Sequence, residues 1–256
     1  MTITANSTPN VAPHRATANS ILVLSVLASR TVLLILSYFI TAWLLMSLDT
    51  PTPYDLARAW WPVALVLING FVLVLLFFAS KREGVTLGSL IGFEKSFFRK
   101  DIVASLWMIP VSMILAVGAT MGLGALFYNL QTPSGLMSLS TLPIWAMVIT
   151  IVFHPLINAF VEQMTYNGYV FPRLHGLLRS TGLTVTLVTF FFTLQHIAIP
   201  FAFDAKFLLW RFLSFVPLLL FWVLSYAKMR RLPALIIVHW FMDIFAVLTI
   251  LFIPSP

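Results

Sequence analysis

The chain has 256 residues, 60% hydrophobic and 9% charged, with fifteen Lys and Arg against eight Asp and Glu. A soluble domain carries about 25% charged residues, so a soluble globular fold is excluded; the expected class is all-α, a polytopic bundle of transmembrane helices. Cysteine is absent, which excludes disulfides, thiolate zinc sites and cysteine nucleophiles. The net charge of +7 reads as orientation in a membrane, not as nucleic-acid binding.

Residues 1–20 are polar and lack the basic start, apolar centre and small-residue cleavage site of a secretory signal. They are expected to be a disordered tail ahead of a single transmembrane domain over 21–254. Crossing about 30 Å of hydrocarbon takes roughly 20 apolar residues. Suitable runs lie near 31–48, 62–80, 102–127, 143–171, 183–199, 212–227 and 232–254, which predicts seven spans. The fifth is short and the sixth contains Pro217, features that favour tilt or kinking. Between the second and third spans, 81–101 mixes charges with Phe93, Phe97 and Phe98 and reads as a basic linker on the membrane surface. In the third span, Gly118 and Gly122 have the spacing that permits close helix packing.

Seven spans sort the basic residues into two sets of loops. One set holds Arg15, Lys81, Arg82, Lys95, Arg99, Lys100, Arg173, Arg179, Lys228, Arg230 and Arg231; the other holds Arg58, Lys206 and Arg211. Short cytoplasmic loops collect Lys and Arg, so the N-terminus is expected in the cytoplasm of a multi-pass cell-membrane protein, with the C-terminus outside. Arg30 falls at the edge of the first predicted span, where its side chain can snorkel to water.

Six of the eight acids fall in loops or at span ends, whereas Glu162 and Asp243 do not. A charge near the middle of a span costs about 2.5–3.5 kcal/mol on insertion scales, so both are functional candidates. Three histidines, His154, His196 and His239, also lie in apolar segments. His239 and Asp243 are one helical turn apart on one face. At about 1.5 Å per residue from the expected cytoplasmic ends, His239 lies about 10 Å deep, Glu162 about 15 Å and His196 about 20 Å, levels that tilt can bring together. His154, eight residues before Glu162 and without a matching partner, is assigned to helix packing. Tyr166 and Trp240 are potential hydrogen-bonding neighbours.

These residues carry a resemblance. Phe192-Thr-Leu-Gln-His196 and His239-Trp-Phe-Met-Asp243 match two ordered motifs, F-x-x-x-H and H-x-x-x-N/D, of the CPBP intramembrane proteases, which include the CAAX prenyl endopeptidases and bacteriocin-processing or self-immunity membrane proteins. The family's first motif, E-E-x-x-x-R, aligns with Glu162-Gln163-Met-Thr-Tyr-Asn167, so that only the first Glu is kept. The resemblance covers about 141–254 and implies a core of helices carrying Glu162, His196 and His239. It implies that Glu162 and His196 activate a water against a peptide carbonyl, near the cytoplasmic side, while His239 and Asp243 stabilise the oxyanion. An ionised Asp243 would repel that oxyanion, so Asp243 must be neutral, as burial favours, or act by orienting His239.

Gln163 and Asn167 stand where the family has a Glu and an Arg, a paired change that keeps the site neutral and strands no charge. No cofactor is expected. Zinc held by two His and two carboxylates is the competing account of the site. The expected partners are membrane lipids and a peptide or protein substrate, lipid-modified in one variant of the reading. The incomplete first motif motivates an alternative, a non-catalytic scaffold or immunity protein. A proton-coupled transporter using the same groups would be expected to show pseudo-repeats and matched broken helices, and the chain has neither.

Overall fold

Seven helical stretches are long and apolar enough to cross a membrane, as the apolar runs predict. The computed structural model describes residues 19–130 and 133–251; the expected tail lies outside them except for Asn19 and Ser20. The first span is α1 (Ser20–Ser47), and a short α2 (Pro53–Ala59) leads into the second, α3 (Trp61–Arg82). After α4 (Leu87–Ile91) the third span is α5 (Phe98–Tyr128). The fourth runs without a break through α6 (Ile144–Val148), a π-helical turn, α7 (His154–Glu162), a second π-helical stretch at Gln163–Val170, and α8 (Phe171–Leu178). The fifth is α9 (Thr181–Leu194), extended by a 3₁₀ turn at Gln195–Ala198. The sixth and seventh are α10 (Ala205–Met229) and α11 (Pro233–Leu251). The described residues contain no strand.

Two sequence expectations are corrected here. The first span begins eleven residues earlier than its apolar run suggests, because the Asn19 side chain accepts hydrogen bonds from the Ile21 and Leu22 amides and so caps a helix that starts at Ser20. Arg30 is therefore about 15 Å into the span. It is 0% exposed and does not snorkel. The Gly118 and Gly122 pair does not mediate close packing, since a side chain at either would meet nothing within 4 Å. Both lie on an exposed face of α5 beside Ile114 and Met121.

The end of the bundle that carries most Lys and Arg is closed by the segment that sequence reads as a surface linker. There α4 is pressed against the π-helical stretch, where a Cβ at position 168 would lie 2.9 Å from the Leu90 carbonyl oxygen, so glycine is required. Leu232 donates its amide to the Ile91 carbonyl at 2.9 Å. Ion pairs hold the surrounding ends. Glu83 accepts from Arg173 at 2.7 Å and from the Tyr169 hydroxyl at 2.9 Å, and Asp101 pairs with the buried Arg231. Phe93 and Phe98 remain exposed. Away from this end, α7 packs between α3 and α11, and α10 between α5 and α9.

Candidate functional site

The π-helical stretch begins one residue after Glu162, and π-bulges occur frequently at functional sites because they change which side chains share a face. Glu162 is 1% exposed. Its Oε1 accepts from Arg30 Nη2 at 2.7 Å, so the carboxylate is paired with a cation supplied by the first span.

Each nitrogen of the guanidinium donates at least one hydrogen bond. Nε donates to Gln195 Oε1 at 2.7 Å, Nη1 donates to Asn69 Oδ1, and Nη2 also donates to Asn158 Oδ1 at 2.9 Å. Asn69 Nδ2 donates to the same Asn158 oxygen at 3.3 Å, and Asn158 Nδ2 donates to Asp243 Oδ2 at 3.1 Å. One continuous polar network thus joins the first, second, fourth, fifth and seventh spans inside the bundle.

Glu162 Oε2 has no hydrogen-bond partner. His239 Nε2 lies 3.5 Å from it, and the same nitrogen is 3.5 Å from Asp243 Oδ1. The far side of that ring is fixed by the two amides of the incomplete first motif. Asn167 Nδ2 donates to Gln163 Oε1 at 2.7 Å, which turns the Gln163 Nε2 group toward His239 Nδ1 at 3.2 Å. An amide NH₂ can only donate, so Nδ1 accepts and the neutral ring carries its proton on Nε2. Trp222 packs against the ring at 4.5 Å between centroids.

His196 is held in the opposite tautomer. Its Nδ1 lies 3.0 Å from the Phe192 carbonyl, an acceptor only, so Nδ1 carries the proton and Nε2 keeps its lone pair. The ring stacks on Phe215 at 3.8 Å. Phe192, the aromatic of the F-x-x-x-H pattern, stacks on Tyr166 at 4.3 Å.

Glu162, His196, His239 and Asp243 all line one cavity of about 420 Å³. Its floor lies at Glu162, Trp222 and His239. From there the lining continues along Phe215, Phe245 and Thr249 toward Trp61, Met137, Pro200 and Ile250, which sit at the end of the bundle poor in Lys and Arg. The expectation of a site near the basic end is corrected: α4 and its ion pairs fill that end, and the space lies on the other side of Glu162. Among the described residues no three His, Asp or Glu side chains gather with metal-binding spacing.

The four sequence-predicted site residues are therefore brought together, and Gln163 and Asn167 join them through His239. His154, assigned to packing, lies on the same cavity wall, edge-on to Trp61 at 5.2 Å and with Nδ1 buried and unpartnered. Trp240 is 44% exposed and takes no part, while the Tyr166 hydroxyl is buried without a partner. Sequence reading missed Arg30, Asn69, Asn158 and Gln195. The available signals were the Asn19 cap, which moves Arg30 into the span, and the presence of strong hydrogen-bonding amides inside apolar runs.

Residues 141–245 match the family model described as type II CAAX prenyl endopeptidase Rce1-like. No curated protein and no solved structure matches the chain. The matched segment contains Glu162, His196, His239 and Asp243 and excludes the helix that supplies Arg30. With its motifs assembled at one cavity inside seven apolar helices, this chain is a multi-pass membrane protein whose residues 141–245 are similar to the Rce1-like type II CAAX prenyl endopeptidases.

Proposed function

We propose that the protein is an intramembrane endopeptidase in which Glu162 and His196 activate a water. The observation that carries this reading is the pairing of opposite tautomers at one cavity: His196 presents an acceptor nitrogen and His239 a donor N–H. Glu162 supports it with one oxygen held by Arg30 and the other unpartnered.

A water between Glu162 Oε2 and His196 Nε2 loses a proton to one of them as its oxygen attacks the peptide carbonyl carbon. The carbonyl oxygen gains the negative charge, and the His239 Nε2–H group is the donor suited to receive it. Collapse of the tetrahedral species breaks the C–N bond, and the proton taken from water passes to the leaving amine. Asp243, held by Asn158 at one oxygen and 3.5 Å from His239 Nε2 at the other, acts by orienting the imidazole. Gln163 and Asn167 serve the same ring from its Nδ1 side. The reaction in this reading needs no metal, since a guanidinium already occupies the Oε1 side of the catalytic carboxylate.

The substrate is a peptide or protein delivered through the membrane. The family's name points to a prenylated chain end, and the mostly apolar cavity suits an apolar or lipid-modified segment. Exposed apolar side chains such as Leu126 and Ile144 face surrounding lipid. The distribution of basic residues supports an N-terminus in the cytoplasm, and in this reading the open end of the cavity faces the opposite side of the cell membrane.

Purified protein in detergent should cleave members of a peptide library, and Glu162→Ala should lower the rate by at least about 10²-fold, the usual contribution of a general base. Identical products and rates from both proteins would refute the catalytic role. A cellular phenotype that survives Glu162→Ala but not removal of the protein would instead favour the scaffold or immunity reading. Gln163→Leu, which removes the group facing His239 Nδ1, should reduce kcat about tenfold or more while leaving KM within twofold, as expected for a residue acting on transition-state stabilisation; an unchanged kcat would rule out the relay through Gln163.

The absence of native cysteine allows the orientation to be tested directly. On intact cells a membrane-impermeant maleimide should label Ser140→Cys and leave Gly182→Cys unlabelled. The reverse pattern would invert the assigned topology.

A further inference from the structure

Four arginines among the described residues have acidic partners. Arg30 pairs with Glu162, Arg173 with Glu83, Arg231 with Asp101 and Arg58 with Asp55. Arg211 on α10 differs. Among the described residues no carboxylate lies within 4.0 Å of it, and it is the one Lys or Arg that lines the cavity. It donates through Nη2 to the Ile199 carbonyl and through Nη1 to the Met137 sulfur at 3.8 Å, while its Nε is buried without a partner. Its guanidinium lies over the Phe215 ring, 4.8 Å from the centroid, and Phe215 is the ring on which His196 stacks.

We propose that Arg211 binds a carboxylate of the peptide substrate, forming an anion subsite one aromatic ring away from the catalytic His196. This rests on the endopeptidase reading. A cation withdrawn from water without a counter-charge is costly, and a ligand carboxylate removes that cost while accepting the forked N–H groups. Phe215 fixes the guanidinium plane, so the fork is pre-organised for an incoming anion. An extended peptide advances about 3.3–3.6 Å per residue, so a carboxylate held at Arg211 belongs to a residue a few positions from the bond that reaches Glu162. Both the chain-terminal carboxylate and an Asp or Glu side chain have this chemistry.

The test uses short apolar peptides in matched pairs, one pair differing in a C-terminal carboxylate against a carboxamide and the other in an internal Glu against Gln. Binding to the full chain in detergent micelles is measured by displacement of a fluorescent peptide, alongside cleavage. Wild-type protein should bind the acidic member of one pair about ten- to a hundredfold more tightly, the range for a charge-assisted hydrogen bond. The pair that shows the preference identifies which carboxylate is held. Arg211→Gln should abolish the preference by raising KM for the acidic member toward that of the neutral member, and Arg211→Lys should restore part of it. Equal binding of both members of both pairs by wild-type protein would overturn the proposal, as would an Arg211→Gln variant that loses acidic and neutral peptides alike. Because the readout is binding, a carboxylate preference without any cleavage would retain the subsite and reject the endopeptidase reading.

Discussion

The site depends on an ion pair between helices that are far apart in sequence, Arg30 on the first span and Glu162 on the fourth. Removing either charge from water is expensive, and their mutual attraction offsets that cost only when the remaining donors and acceptors are also satisfied. Here Gln195, Asn69 and Asn158 take the remaining guanidinium contacts, and each comes from a different span. Once formed, the network fixes the rotation of those helices about their axes, because each amide reaches the guanidinium from only one face of its helix. In this way Asn158 passes the constraint on to Asp243, and the seventh span is brought into register with the fourth.

Chemistry follows from what the network leaves undone. Arg30 takes one oxygen of Glu162 and leaves the other facing His239 and the cavity. Two backbone or amide contacts then divide the imidazoles into one donor and one acceptor, which a pair of freely rotating histidines would not sustain. Gln163 and Asn167 are informative in this respect. Where the motif they resemble has a Glu and an Arg, these amides form a neutral relay to His239, while the cation paired with Glu162 comes from outside the matched segment. Glu162 still has an arginine, supplied by a different helix.

Much of this was legible in the sequence. The number of spans followed from hydrocarbon thickness, and Glu162, His196, His239 and Asp243 stood out because ionisable groups are rare in apolar helices. Arg30 was misplaced for a physical reason: hydropathy locates the apolar run, while the helix begins where Asn19 caps it, well before that run. The amides around Arg30 were missed because nothing local marks an Asn or Gln as a partner of a residue 39 to 165 positions away. His154 was assigned to packing because a lone imidazole has no pattern on its own helix; its proximity to the cavity is a tertiary fact. The Gly118 and Gly122 pattern failed in the other direction, since small residues permit close packing without causing it. The level of the cavity was misjudged because the linker that closes the basic end shows its fit only where Leu90 meets Gly168.

The coupling between Arg30 and Glu162 is the claim on which the rest stands, and a double-mutant cycle measures it. Unfolding free energies would be compared for wild-type protein, Arg30→Gln, Glu162→Gln and the double variant in one detergent. Each single change strands a buried charge and should cost about 3–5 kcal/mol, whereas the double variant, with neither charge, should recover most of that loss. Single changes that cost little, or a double variant destabilised by the sum of the two, would contradict the account.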